Sequence, residues 1–131
     1  MRINITSVLV DDQQKALKFY TEALGFQKMA DIPVGQYRWL TVTSPDGVEG
    51  VELSLEPVGY PFARTYQKAL YDAGIPFTAF TTNDIRGEVR RLREHGVIFR
   101  GEPENMGPII AVMFEDTCGN LIQLVQPVQA A

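Results

Sequence analysis

The side chains that most often carry out chemistry in proteins are scarce in this chain, which holds one histidine, His95, and one cysteine, Cys118. His95 lies in the last turn of a predicted helix, where a positive or dipolar group interacts favourably with the helix carboxyl end. We therefore interpret it as a surface or capping residue and not as a ligand, since a divalent metal needs several donors at set spacing. Cys118 lies at the tip of a predicted turn with neither a CxxC partner nor a neighbouring histidine. Because a cysteine nucleophile needs an adjacent base, we interpret Cys118 as a structural thiol.

Glu52 is the acidic residue whose position favours a functional role. In the strand predicted near 50–56 the larger apolar residues alternate with polar ones. A helix covering one side of this strand takes the apolar residues, which leaves Glu52 and Ser54 on the opposite surface. Inside an apolar cleft, Glu52 would act in proton transfer or bind a cationic group. The alternative is a solvated carboxylate on an open sheet face.

The same alternation, applied to the other strands, predicts one surface that faces away from the helices. It is a mostly apolar wall with a few polar groups, which is how clefts that bind small molecules are usually lined. Its predicted members are Ile5, Ser7, Trp39, Thr41, Glu52, Ser54, Phe77, Ala79, Ala111, Met113 and Gln123. Trp39 either packs within the wall or stacks on a ligand, and the sequence leaves both roles open.

An internal repeat determines how these residues are positioned. Each half has an acidic or amide residue before a helical pattern that ends at a glycine, and then a turn that leads into a strand ending in proline. The matching landmarks, separated by 70 to 72 residues, are Asp11 and Asn83, Gly25 and Gly96, Glu52 and Gln123, and Pro57 and Pro127. Because only two copies of so long a period fit 131 residues, we interpret the repeat as a duplicated module.

Hydrophobic periodicity and turn residues predict the same order of elements in both modules. Module one, about 3–57, has a strand, a helix and three strands at 3–10, 13–24, 26–31, 37–43 and 50–56. Module two, about 76–127, repeats them at 76–82, 85–95, 97–101, 109–115 and 120–126, after a connecting helix at about 63–74. The prediction is one α+β domain, residues 1–131, whose two βαβββ modules form a curved mixed sheet with a cleft and with helices on its outer face.

Composition excludes several classes of partner. The net charge of −4 and the isoelectric point near 4.9 argue against nonspecific nucleic-acid binding, which needs a basic face. No apolar run approaches the ~20 residues of a membrane span, and the amino terminus has no signal-peptide pattern. A single cysteine excludes an intramolecular disulfide. We expect a cytoplasmic protein that binds neither nucleic acid nor membrane.

Three segments carry a resemblance to a known family: ITSVLVDDQQKALKFYTEALGF, VELSLEP and DTCGNLIQLVQP. Together with the repeated βαβββ order, they resemble the vicinal oxygen chelate superfamily, which includes glyoxalase I, extradiol dioxygenases and bleomycin-resistance proteins. The resemblance covers about residues 3–127. The segments RWLTVTSPDG and DTCGNLIQL are similar to small single-chain members of the glyoxalase and bleomycin-resistance type.

The resemblance implies four strand positions that supply His or Glu ligands to one divalent ion in the metal-dependent families. Carried onto this sequence, they fall at Ile5, Glu52, Phe77 and Gln123. Isoleucine and phenylalanine cannot coordinate a metal, and a neutral glutamine is a poor ligand for a transition metal, so only Glu52 is competent. We therefore expect no metal or other cofactor.

Three classes of function follow from these observations. The first is a protein like the bleomycin-resistance branch, which binds a small organic molecule in an apolar cleft without a metal. The second is an enzyme, either a lyase or isomerase of the lactoylglutathione-lyase type or a dioxygenase, using Glu52. A metalloenzyme of this kind would hold Zn, Ni, Fe or Mn through non-standard ligands such as Glu56 or Glu115, or through ligands of a partner chain. The third is an interaction or structural module. The resemblance also implies a homodimer, and leaves open whether modules pair within or across chains.

Overall fold

The computed structural model describes residues 1–128 and contains the duplicated module. Residues 129–131 of the predicted domain lie outside this description. The first module comprises β1 (Ile5–Val10), α1 (Gln13–Lys18), β2 (Gln27–Val34), β3 (Tyr37–Thr43) and β4 (Glu52–Pro57). After the connecting helix α2 (Pro61–Asp72), the second comprises β5 (Thr78–Thr81), α3 (Ile85–Glu94), β6 (Glu104–Asn105), β7 (Ile109–Glu115) and β8 (Leu121–Pro127). No helix among residues 1–128 is long and apolar enough to cross a membrane; the cytoplasmic location stays a prediction.

Each module is built around a four-stranded mixed sheet. The strand orders are β1-β4-β3-β2 and β5-β8-β7-β6, with the first strand of each module parallel to the last and the other neighbours antiparallel. The predicted α+β class and the two modules are confirmed. The predicted single curved sheet is instead two separate sheets, because no strand pair joins them among the described residues.

The helix that follows β1 begins at Asp12, whose carboxylate accepts a hydrogen bond from the Lys15 amide at 3.0 Å. Such an N-cap satisfies a backbone donor that would otherwise lack a partner. After Lys18 the helix widens into a π turn, Phe19–Ala23, and the chain leaves it at Gly25, whose φ is +84°. The predicted helix at 13–24 is therefore an α segment continued by a π turn.

The strand predicted at 97–101 is wrong. Only Phe99 forms a bridge there, opposite Phe114, and the short edge strand is Glu104–Asn105. Gly101, with a φ of +96°, turns the chain out of line. Pro103, which follows, has no N–H to donate to a neighbouring strand.

Alternation places the cores as predicted. In the first module the buried side chains include those of Val8, Val10, Leu40, Leu53 and Leu55, beside the Ala16 and Tyr20 side chains of the first helix and its π turn. In the second module Ile85, Val89 and Leu92 of α3 pack with Val112, Phe114, Ile122 and Leu124. The opposite surface of each sheet is the one on which the sequence predicts the site residues.

A buried carboxylate joins the two modules. Asp116, in the turn before β8, accepts a hydrogen bond from the Tyr20 hydroxyl and one from the Asn120 side-chain amide, both at 2.7 Å. Its other oxygen accepts from the backbone amides of Cys118 and Asn120, at 2.8 and 3.0 Å. The Asp11 amide of the first module donates to the Cys118 carbonyl at 3.1 Å. The turn 116–120 is thus fixed to the end of β1 and to the first helix.

Gln67 of α2 extends this junction. Its side-chain amide donates to the carbonyls of Leu9 and Cys118, at 2.9 and 3.0 Å. The Asn120 amide donates to the same Leu9 carbonyl at 2.7 Å. The connecting helix therefore contacts both modules through one buried side chain.

Candidate functional site

A row of mainly polar residues lies on the face of the first sheet opposite the helices, and two of them, Thr41 and Ser54, are buried. In the strand register Ile5 lies opposite Glu52, and Ser7 lies opposite Ser54, which in turn lies opposite Thr41. The Thr41 hydroxyl donates a hydrogen bond to a Glu52 oxygen at 2.6 Å. These five predicted site residues are therefore neighbours.

Trp39 borders the same row, two residues before Thr41, and its side chain is 42% exposed. Nearby, the side chain of Gln13 is inserted between β3 and β4, where it donates to the carbonyls of Arg38 and Leu55 at 2.7 and 2.8 Å. The amide of Gln13 thus supports the backbone beside Trp39 from the helix side. The indole itself is left open on the sheet face.

Two carboxylates on this face have no basic partner. Glu52 is bonded to Thr41, and Glu56 accepts a hydrogen bond from the Ser54 hydroxyl at 2.6 Å. Within residues 1–128, neither carboxylate forms an ion pair with a lysine, arginine or histidine. The face is therefore negatively charged beside an exposed aromatic side chain.

The second sheet presents a matching but less polar row. Ala79, Gln123 and Met113 lie opposite one another on β5, β8 and β7. Because Ala79 pairs with Gln123 as Ile5 pairs with Glu52, the position equivalent to Ile5 is Ala79. The placement of this position at Phe77 is wrong by two residues, and the Phe77 side chain packs against Tyr66 of α2 and the core of the first module.

The predicted site residues thus form two groups, one in each sheet. Glu52 and Ala79 line a common cavity of about 270 Å³, whose walls are mainly apolar. Most of that lining was not predicted from the sequence: Thr6, Phe26, Val42, Val48, Val51, Leu53, Thr78 and Phe80. Alternation assigned several of these side chains to the helix-facing core. These residues line the cavity because of how the two modules lie relative to each other, and no pattern along the sequence indicates that arrangement.

His95 has the predicted capping position, and the Cys118 thiol lies in the core of the first module. His95 is the residue that ends α3, and its Nδ1 lies 2.9 Å from the Arg91 carbonyl oxygen. Cys118 is fully buried, and burial, followed by the nearby Asp116 carboxylate, raises the pKa of its thiol to about 12. A thiol in this environment stays protonated and is a poor nucleophile.

The positions that hold a metal in related families do not fit a divalent ion here. Ile5 and Ala79 have hydrocarbon side chains, Gln123 is neutral, and Glu52 is the one carboxylate. No group of three or more His, Cys, Asp or Glu side chains within residues 1–128 is arranged to hold a metal. The alternative ligands Glu56 and Glu115 belong to different sheets. We derive no chemical step through a metal, and its absence from the working protein stays a prediction.

Comparison with known proteins agrees with this geometry. Residues 2–124 match the model of the Glyoxalase/Bleomycin resistance protein/Dioxygenase superfamily. The chain belongs to this superfamily. It is 52% identical to YurT of Bacillus subtilis over 126 residues, which cover 96% of this chain and 99% of YurT.

Two solved structures share the fold of this superfamily member. UcmS2 is 32% identical with a TM-score of 0.81, covering 95% of this chain and 97% of that one. TnmS3 of Streptomyces sp. CB03234, described as an antibiotic binding protein, is also 32% identical, with a TM-score of 0.77 and coverage of 98% and 97%.

Proposed function

We propose that this protein binds a small organic molecule on the helix-free sheet face, and does so without a metal. One observation carries the proposal: the four family metal positions hold one carboxylate, one amide and two hydrocarbon side chains, while the surrounding face keeps an exposed indole beside carboxylates. Such a face recognises a ligand by apolar contact and a few polar groups. The description of TnmS3 as an antibiotic binding protein supports an antibiotic as the ligand, and the exposed Trp39 indole favours an aromatic one.

We further propose that a second copy of the chain completes the cleft. Ile5 and Trp39 are 38% and 42% exposed, and Tyr60 and Phe62 at the start of α2 are 66% and 70% exposed and stack on each other. Apolar surface of this kind on a small protein marks an interaction site. A homodimer would cover it and place the two rows of site residues opposite partner surfaces.

The first test measures metal content and ligand-induced stabilisation of the purified protein. We expect Zn, Ni, Fe and Mn together to amount to less than about a tenth of an ion per chain. We also expect the melting temperature to rise with the concentration of an aromatic antibiotic. One tightly held ion per chain would contradict the metal-free proposal and favour the lyase, isomerase or dioxygenase activities of the superfamily. Light scattering tests whether the protein is a dimer. A mass equal to that of one chain at micromolar concentration would exclude it.

The Trp39→Ala variant tests the placement of the site. Because a large aromatic side chain at the centre of a binding site dominates the affinity, we expect the dissociation constant for the antibiotic to rise by about tenfold or more. The matched control is Ile98→Ala, which removes another exposed apolar side chain away from both rows and should leave the constant unchanged. Equal effects of the two substitutions would place the ligand elsewhere.

A further inference from the structure

The two modules differ in the turn before their last strand, and a cleft lies beside this turn in the first module. The turn 116–120 of the second module is fixed against the first module, with Asp116, Cys118 and Asn120 buried. The matching turn of the first module, Ser44 to Gly47, is exposed throughout. Between this turn, the end of β5 and α3 lies a cleft of about 570 Å³.

Two substitutions between the halves account for the difference. Ser44 stands where the second module has Asp116, 72 residues later, and Leu92 stands where the first module has Tyr20, 72 residues earlier and equally far from the helix N-cap. The carboxylate and phenol that hold one turn therefore have no counterpart at the other. Arg91, which precedes Leu92 in the cleft lining, is bonded to Glu88 on its own helix and to the carbonyls of Ala23 and Leu24.

The chemistry of the cleft is amphipathic and acidic. Its apolar lining consists of Leu24, Phe26, Phe80, Leu92, Phe114 and Leu124. Asp46 lies on the turn and forms no ion pair or side-chain hydrogen bond within residues 1–128. Arg91, the one basic residue of the lining, is neutralised by Glu88. An uncompensated carboxylate therefore lines a cleft whose accessible surface is mainly polar and whose partly buried apolar contacts are Leu24, Phe26 and Phe80.

A smaller cavity adjoins this cleft. Phe26, Ser44 and Phe80 line both spaces, so that the segment 44–51 lies between them. The combined volume of the cleft and the smaller cavity lies within the range of about 300 to 1,000 Å³ that accepts a drug-like molecule. The unmatched turn is thus the outer wall of a recess between the modules.

We propose that this cleft is a second ligand site, which binds an organic amine by placing its apolar body against Phe26 and Phe80 and its ammonium group beside Asp46. The larger cleft is lined by none of the sheet-face residues, and Trp39, Ser54 and Gln123 line neither space. The adjoining smaller cavity does reach the sheet face, at Glu52 and Ala79. An ammonium group is favoured because the nearest free charge is a carboxylate, and an anion would meet Asp46 without a free basic partner.

The experiment uses tryptamine, which joins an indole to an ammonium group, and indole-3-propionate, which joins it to a carboxylate. Binding is followed in the full chain by amide chemical shifts and by calorimetry. We expect tryptamine to shift the amides of Gly47, Thr82 and Asn83, and indole-3-propionate to bind about tenfold more weakly or not at all. The Asp46→Asn variant should weaken tryptamine binding about tenfold, which is roughly 1.4 kcal/mol.

The matched control is Glu49→Gln, which removes a carboxylate from the same exposed segment but outside the cleft. It should leave the tryptamine affinity unchanged. Equal weakening by both variants, tryptamine shifts confined to the sheet face around Trp39, or the absence of tryptamine binding would each overturn the proposal. These outcomes leave the sheet-face proposal standing, because that site is tested with a different ligand and variant.

Discussion

Replacing Gly119 by alanine is expected to lower the free energy of unfolding by about 2 to 4 kcal/mol. Gly119 has a φ of +99°, which side-chain-bearing residues rarely adopt. An added Cβ would lie 2.8 Å from Cδ of Gln67 and 2.9 Å from its Nε2. Gln67 cannot move aside without giving up its buried hydrogen bonds to the Leu9 and Cys118 carbonyls. Urea unfolding of both proteins measures the loss.

The matched control is Gly101→Ala. Gly101 has a φ of +96°, so the backbone penalty is similar, but an added Cβ there would meet nothing within 4 Å. We expect a loss of about 1 to 2 kcal/mol from the left-handed conformation alone. Equal losses at the two glycines would show that Gln67 yields freely, and would contradict the tight junction between α2 and the turn 116–120.

Removing the Asp116 carboxylate is the second change with a large expected effect. Asp116→Ala leaves the Tyr20 hydroxyl, the Asn120 side-chain amide and two backbone amides without their acceptor in a buried site. We expect the free energy of unfolding to fall by about 3 to 5 kcal/mol, as when one partner of a buried charged network is deleted. Denaturant unfolding checks this, with Asp46→Ala, an exposed aspartate of the matching turn, as the control.

The pH dependence of this network has a definite sign. Burial raises the pKa of the Asp116 carboxyl above its ordinary value of 3.8, despite the hydrogen bonds that favour ionisation. Between these two values the native carboxyl keeps a proton that the unfolded carboxyl has lost, so the contribution of Asp116 to stability is greatest at low pH and declines as the pH rises through the raised pKa.

The Asp116→Asn variant, which cannot titrate, isolates this contribution. We expect the difference in unfolding free energy, wild type minus variant, to increase as the pH is lowered from about 7 to about 4. A difference that instead grew with rising pH would mean that the four hydrogen bonds outweigh burial and hold the carboxylate ionised.

The elements and faces could be predicted because their periods are local. Alternation along β4 put Glu52 and Ser54 on one surface, and the structure pairs them with Ile5, Ser7 and Thr41 as neighbours. The error at Phe77 arose where the repeat changes length. Ile5 lies seven positions before the helix N-cap Asp12, whereas Ala79 lies five positions before the N-cap Asp84. The offset of 72 residues between the two N-caps therefore misplaces β5 by two residues.

The position predicted for the edge strand of the second module was wrong for a related reason. The residues at 97–101 have a strand-like pattern, but Gly101 turns the chain and the pairing passes to Glu104 and Asn105. Edge pairing is decided by which segment reaches the neighbouring strand, and β-propensity alone does not specify that.

The amino-acid sequence by itself predicted the duplicated βαβββ order, the two cores and a single competent ligand, Glu52, among the four metal positions that the family resemblance implies. These are properties of residue type and of spacing along one element. Tertiary structure alone decided that the two sheets are separate, that the turn at Asp116 is fixed while the turn at Asp46 is not, and that a cleft lies between the modules. Those features depend on how distant segments meet, since packing and buried hydrogen bonds form only after both modules are in place.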